Sequence, residues 1–224
     1  MELALNYFPK AMGERMEFVG KETEIEILLL AAGISSRMLG ADKLLLEFEG
    51  EKILRRTAKE ALKSKAGSVK VILGHNSQKR AQVLIGLEVE HIICRNFDEG
   101  ISASIQAGLK NIKGSVEAVI IALADMPLVS YQDFNQLIDK FSRSTKSRIF
   151  RAISQNGKVG HPVLFPKSAF SLLTSLVGDC GAKHILKSSQ IQTEEVKTRG
   201  ESAVTDIDSY ADWESLKKEV GSHT

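Results

Sequence analysis

Apolar runs of strand length alternate with helix-period patterns through the first two-thirds of the chain, the signature of βαβ units around a mostly parallel sheet. From Ile25 to Ala32 only Glu26 is polar, so Glu24–Leu30 predicts a strand buried on both faces. Leu44–Phe48 reads as a short extended piece ending at a turn on Gly50. Lys52–Lys63 then places Ile53, Leu54, Ala58, Ala61 and Leu62 on one helical face. Val69–Leu73, Val89–Cys94 and Ala118–Ala124 predict further strands, with helices over Gln78–Ile85 and Ile101–Leu109. Ser130 and Asp133 form a capping box for a helix running to about Phe141.

Beyond residue 145 the pattern changes. Arg148–Ser154 and Val159–Phe165 flank Asn156-Gly157, a strong hairpin signal, and predict a small antiparallel insertion suited to a second substrate. Ser168 caps a predicted helix to Leu176, Gly178–Gly181 forms a loop, and Ala182–Lys187 resumes as helix. Thr193–Lys197 reads as a strand, and Ser209 with Asp212 caps the last helix. The expected class is α/β, with helices flanking a mostly parallel sheet. Residues 1–23, with Pro9, Gly13 and Gly20, read as an N-terminal extension, and Met12 or Met16 as an alternative start. Residues 24–224 read as a single domain, in two parts at 24–145 and 146–224.

Composition narrows the partners. Thirty Lys and Arg against 28 Asp and Glu give a formal net charge of +2 in 224 residues, which disfavours nucleic acid or an anionic membrane as global partners. Any anionic ligand must therefore be met locally. Cys94 and Cys180 lack metal-site spacing and suit a reducing compartment. The longest apolar run is too short to span a bilayer and no signal-peptide order precedes it, so the expected location is the cytoplasm.

The chemistry concentrates after the first strand. Leu30-Ala31-Ala32-Gly33 turns into Ser35, Arg37 and, further on, Lys43. Small residues let backbone N–H groups approach a phosphate, and the two cations supply countercharge. Neither the P-loop nor the dinucleotide fingerprint fits, because Lys43 follows Asp42 and only Gly33 stands in the turn. Ligands of an open parallel sheet bind outside the carboxyl ends of its strands, which puts Asp125 on the same rim. Asp125 suits either Mg²⁺ beside a triphosphate or a cap on the Met126-Pro127 turn. Asp206 and Asp208 suit an N-cap role or, by alternation, joint action. Gly100, Ser102 and Ser104 open a helix and face either a cap or a base and ribose. His161, before Pro162 in the hairpin, fits a site residue or an edge histidine.

Taken in order, Leu30-Ala31-Ala32-Gly33-x-Ser35-x-Arg37-Met38, Lys43-Leu44-Leu45, Asp98-Glu99-Gly100-Ile101-Ser102-x-Ser104, Leu123-Ala124-Asp125-Met126-Pro127, Gly160-His161-Pro162-Val163-Leu164-Phe165, Gly178-Asp179-x-Gly181-Ala182-Lys183 and Asp206-Ile207-Asp208 resemble the molybdenum cofactor nucleotidyltransferase family. The cytidylyltransferase branch is the nearer likeness. The resemblance spans about residues 25–217 and implies a Rossmann-like nucleotidyltransferase fold, with a nucleotide-binding part at 24–145 and an acceptor-binding part at 146–224. It implies transfer of a nucleoside monophosphate, CMP favoured, from an NTP to the phosphate of molybdopterin, with pyrophosphate released. It implies that Leu30, Ala31, Ala32, Gly33 and Ser35 hold the nucleotide with Arg37 and Lys43 on its phosphates, and that Gly100, Ser102 and Ser104 line the base pocket. It further implies catalytic roles for Arg37, Lys43 and Asp125, and Mg²⁺ on Asp125 and Asp208. The pterin acceptor would meet His161, Pro162, Gly178, Asp179, Gly181 and Lys183, and a molybdoenzyme would receive the product. The chain departs from the family pattern at Leu39, inserted before Gly40, at Lys183 in place of Arg, and at Ile101 in place of Met. Competing readings are activation of a sugar or isoprenoid phosphate and a non-catalytic carrier or insertion chaperone.

Overall fold

The computed structural model describes residues 24–38, 40–179, 181, 185–186 and 190–221. Its centre is a seven-stranded sheet in the order β5-β4-β1-β6-β8-β7-β9. These strands are β1 Ile25–Ala31, β4 Ser68–Leu73, β5 Glu90–Ile93, β6 Ala118–Leu123, β7 Ile149–Ile153, β8 Val159–Pro166 and β9 Thr193–Lys197. Every neighbouring pair is parallel except those that β8 makes with β6 and β7. The Asn156-Gly157 hairpin thus forms, and both of its strands join the main sheet. A separate antiparallel ribbon pairs β2 Glu47–Phe48 with β3 Glu51–Lys52.

The helices are α1 Ile53–Lys63, α2 Ser77–Gln82, α3 Ile101–Leu109, α4 Tyr131–Ser142, α5 Phe170–Thr174 and α6 Tyr210–Gly221. Alternation along β1 divides the core into two layers: Ile25, Ile27, Leu29 and Ala31 face α1, α4 and α6, whereas Leu28 and Leu30 face α3 and α5. On α4, Phe134, Leu137, Ile138 and Phe141 are all buried. Their i, i+3, i+4, i+7 spacing makes one stripe, each side chain contributing about 1.5–3 kcal/mol on burial.

Local chemistry fixes the element ends. The expected Ser130–Asp133 box is present, the Asp133 carboxylate accepting from the Ser130 N–H at 2.8 Å. Ser209 N–H likewise donates to Asp212 at 2.7 Å. Leu44–Phe48 departs from expectation: Lys43–Leu45 is a 3-10 turn, because Asp42 accepts from the Leu44 N–H at 3.1 Å and starts a helical turn there. The helix expected over Ser168–Leu176 is a 3-10 turn at Lys167–Ala169 followed by the short α5. That expected over Ala182–Lys187 falls mostly outside the described residues. Among the described residues no helix is long and apolar enough to cross a membrane.

Candidate active site

At the carboxyl rim of β1 and β6 lies a cleft of about 480 Å³, lined among others by Leu30, Ala31, Ala32, Gly33, Lys43 and Asp125. It is the place that the sheet topology designates, beside the turn that leaves the first strand. The turn is braced from both sides. Met38 is buried in the α1 layer, and the Ser35 hydroxyl accepts from the Lys43 N–H at 3.2 Å. Ser35 therefore holds the loop to the start of the following 3-10 turn.

A stronger brace comes from Arg80, which is fully buried. Its guanidinium donates to both oxygens of Asp42 at 2.9 Å, to the Ala31 carbonyl at 2.7 Å and to the Gly33 carbonyl at 3.0 Å. Burial alone would raise the Asp42 pKa. Arg80, Asn76 and the Leu44 N–H together outweigh it and hold the carboxylate below its ordinary value. With these carbonyls tied back to Arg80, the turn is pinned at both ends of Ala31–Gly33. Neither Arg80 nor Asp42 stands out in the sequence, since the pair forms across 38 positions, and α2 is polar along nearly all its length, so that one arginine in it draws no attention.

The cleft floor carries the charges. Lys43 Nζ lies 2.5 Å from Asp125 Oδ2 and 3.1 Å from Asp208 Oδ1. Burial pulls the Lys43 pKa down, but the two carboxylates prevail and raise it, so Lys43 stays an ammonium. The acidic segment is anchored by Ile207, which is buried and whose N–H donates to the Asp125 carbonyl at 3.1 Å. Its flanking residues, Asp206 and Asp208, both line the cleft. Burial, then the charges of Asp125 and Asp208, push the Asp206 pKa up. Asp125 Oδ1 is buried with no hydrogen-bond partner. Arg37 is 71% exposed at the mouth and reaches Asp208 at 3.5 Å.

Among the base-pocket candidates, Gly100, Ile101 and Ser104 line the cleft, whereas Ser102 borders a separate groove with Gln106, Leu176 and Val177. Gly100 has φ +99°, and a Cβ there would sit 2.5 Å from the Gly178 carbonyl carbon. Only glycine permits both this conformation and this approach. Through it Ser102 N–H donates to the Gly178 carbonyl at 3.2 Å, which seats Gly178 at the start of α3, and Asp179 after it lines the cleft. Gly181 packs against Ile101. Phe97, in the cleft wall and edge-on to His75, is a further lining residue that the sequence left unmarked.

Next to β6 in the sheet, β8 carries His161 and Pro162, joined by a cis peptide bond, and neither is among the residues that line the cleft. His161 Nδ1 lies 3.5 Å from the Ile121 carbonyl. Burial lowers its pKa, with the Arg151 charge acting the same way against Ile121 and Asp125. Pro162 is buried. Lys183 and Leu39 lie outside the described residues, as does Cys180; Cys94 is a free thiol.

A turn of small residues, two cations and clustered carboxylates at the rim of such a sheet fit the class of nucleotidyltransferases. The model of the MobA-like NTP transferase domain matches residues 27–196, and the chain belongs to that family. It is 28% identical over 205 residues to the purine catabolism protein PucB of Bacillus subtilis, covering 85% of this chain and 95% of PucB. Solved structures share the fold. Rv0371c of Mycobacterium tuberculosis in complex with manganese has a TM-score of 0.75 at 22% identity, covering 88% of this chain and 99% of that one. A CMP:2-keto-3-deoxy-manno-octonic acid synthetase complexed with CTP has a TM-score of 0.72 at 13% identity, covering 89% and 99%.

Proposed function

We propose that this nucleotidyltransferase moves CMP from CTP to the terminal phosphate of molybdopterin or a molybdenum-loaded form of it. The observation that carries the reading is the Lys43–Asp125–Asp208 cluster on the cleft floor, next to a turn built to receive phosphates. The ordered set of motifs spanning both substrate halves supports the molybdopterin acceptor. PucB, similar along nearly its whole length, is named for purine catabolism, whereas the synthetase that shares the fold is complexed with CTP.

In the proposed reaction an oxygen of the acceptor phosphate forms a bond to the α-phosphorus of CTP. The bond from that phosphorus to the bridging oxygen breaks, and pyrophosphate leaves with the electron pair. Such chemistry requires positioning and countercharge rather than a protein nucleophile. Arg80 holds the Ala31–Gly33 backbone in place, so its N–H groups reach the nucleotide without reorganising. Lys43 is held in the cleft by two carboxylates, placed to follow charge onto the α- and β-phosphates. Arg37, at the mouth, is free to swing onto the outer phosphates. The donor set suits Mg²⁺: Asp125 offers a buried oxygen without a partner, and Asp206 and Asp208 add hard oxygen donors in the same cleft. Mg²⁺ is commonly held by one or two carboxylates together with substrate phosphates. Bound there, Mg²⁺ would neutralise charge on the phosphate under attack.

The test is pyrophosphate release from CTP with molybdopterin and Mg²⁺. Asp125→Ala is expected to lower kcat on the order of 10²–10³-fold, the scale of losing a preorganised charge at a transition state, and Lys43→Ala to reduce it strongly. Full activity in Asp125→Ala would remove this assignment.

A further inference from the structure

The acceptor side of the site contains a cation that neither the motifs nor the fold assigns. Arg151 sits on β7, paired with Val163 of β8 and Glu195 of β9. Strand alternation puts it on the face of Ile149, Val163 and Phe165; beyond Val163 the β7–β8 register shifts, over the stretch that holds the cis His161–Pro162 bond. The β6–β8 pairing runs to Ile121 opposite Val163, and His161 Nδ1 lies 3.5 Å from the Ile121 carbonyl, two residues before Leu123, which lines the nucleotide cleft. Electrostatically His161 feels both Asp125 and Arg151. From the nucleotide loop outward, the order is thus Lys43, Asp125, His161, Arg151.

Arg151 differs from the other arginines of the described residues. Those withdrawn from solvent have a carboxylate: Arg55 has Glu51, Arg56 has Glu49, and Arg80 has Asp42. Arg95, Arg143 and Arg199 have no such ion pair and are exposed to water. Arg151 is half-buried, and its one hydrogen bond among the described residues is from Nε to the Gly160 carbonyl at 3.4 Å. Burial weakens its charged form, and the charge of Glu195, its register partner on β9, opposes this without an ion pair forming. Among the described residues its two terminal nitrogens have no hydrogen-bond partner, and a half-buried guanidinium so placed gains by pairing with an anion. Those nitrogens form the fork that binds a phosphate through two parallel hydrogen bonds.

We propose that Arg151, with His161 beside it, binds the phosphate group of the acceptor and positions it toward the nucleotide. This rests on the two-substrate reading above. Arg151 acts as a binding and positioning residue, supplying the countercharge that Lys43 and Arg37 supply to the nucleotide.

The test follows the Arg151 Nε–H resonance by ¹⁵N NMR, assigned by its loss in Arg151→Lys. Inorganic phosphate titrated into protein saturated with CTP and Mg²⁺ should move this resonance, while acetate at matched ionic strength should not. In the molybdopterin assay Arg151→Lys should raise the acceptor KM about tenfold, the scale of one lost charge-assisted hydrogen bond, and leave the CTP KM unchanged. A resonance indifferent to phosphate, an equal response to acetate, or equal rises in both KM values would overturn the assignment. If CTP leaves the amide signals of Ala31–Gly33 unmoved, it is the transferase reading that fails. The same phosphate titration on the unliganded protein then still decides Arg151.

Discussion

Arg80 and Asp42 form the pair on which the nucleotide turn depends, and their energetics make a sharp prediction. Arg80 is fully buried and bidentate to Asp42, so Arg80→Met leaves a buried carboxylate without its partner. Such a loss costs about 3–5 kcal/mol, to be read as a lower urea midpoint together with weaker CTP binding. Asp42→Asn should cost about 1–3 kcal/mol at neutral pH. The folded-state pKa of Asp42 is lowered below its ordinary 3.8, so its ionised form contributes stability above that value. This contribution disappears as pH falls through the depressed folded pKa. The gap between wild type and Asp42→Asn should therefore close below about pH 3.8; a gap constant down to pH 2 would contradict the linkage. The sequence displayed Arg37, Lys43 and Asp125 because they punctuate ends of apolar strands. It concealed Arg80, because a partner 38 residues away leaves no local mark.

At the scale of elements, β8 joins the two halves of the site. Gly160 is forced: a Cβ there would lie 1.7 Å from the Ala203 carbonyl oxygen, which also accepts from the His161 N–H at 2.9 Å. This contact seats the segment leading to Asp206 and Asp208 against the strand that carries His161. Gly160→Ala should push the two apart and destabilise the fold by about 1–3 kcal/mol, measured by urea unfolding. An unchanged midpoint would show that the segment is free to yield. Element type was largely legible here. The helix at Ile101–Leu109 and the strand at Thr193–Lys197 match the sequence pattern residue for residue, because period and punctuation agree. Element placement was less so: Asn156-Gly157 announces a hairpin, but its turn chemistry says nothing of β8 lying between β6 and β7. The short 3-10 turn at Lys43–Leu45 was hidden because the pattern Leu44-Leu45-Leu46 looks extended, whereas the Asp42 cap decides it.

For the whole molecule, a twisted, mostly parallel sheet puts the ends of β1 and β6 side by side, and the nucleotide loop, Asp125 and the Asp206–Asp208 segment meet because of it. The antiparallel β8 then extends the same rim toward Arg151. One substrate would thus be bound by backbone and Lys43, the other by the β7–β8 hairpin, with the carboxylates between them. The family and the transferase class follow from the motifs, the fold and the matched domain; base and acceptor are what the proposal adds. They are tested together by measuring pyrophosphate release from CTP, GTP, ATP and UTP in turn, with molybdopterin and Mg²⁺, and identifying the product by mass. Turnover with CTP is expected well above the others, with a molybdopterin cytosine dinucleotide as product. Pyrophosphate release that is indifferent to molybdopterin, or a preference for another base, would contradict the proposed reaction.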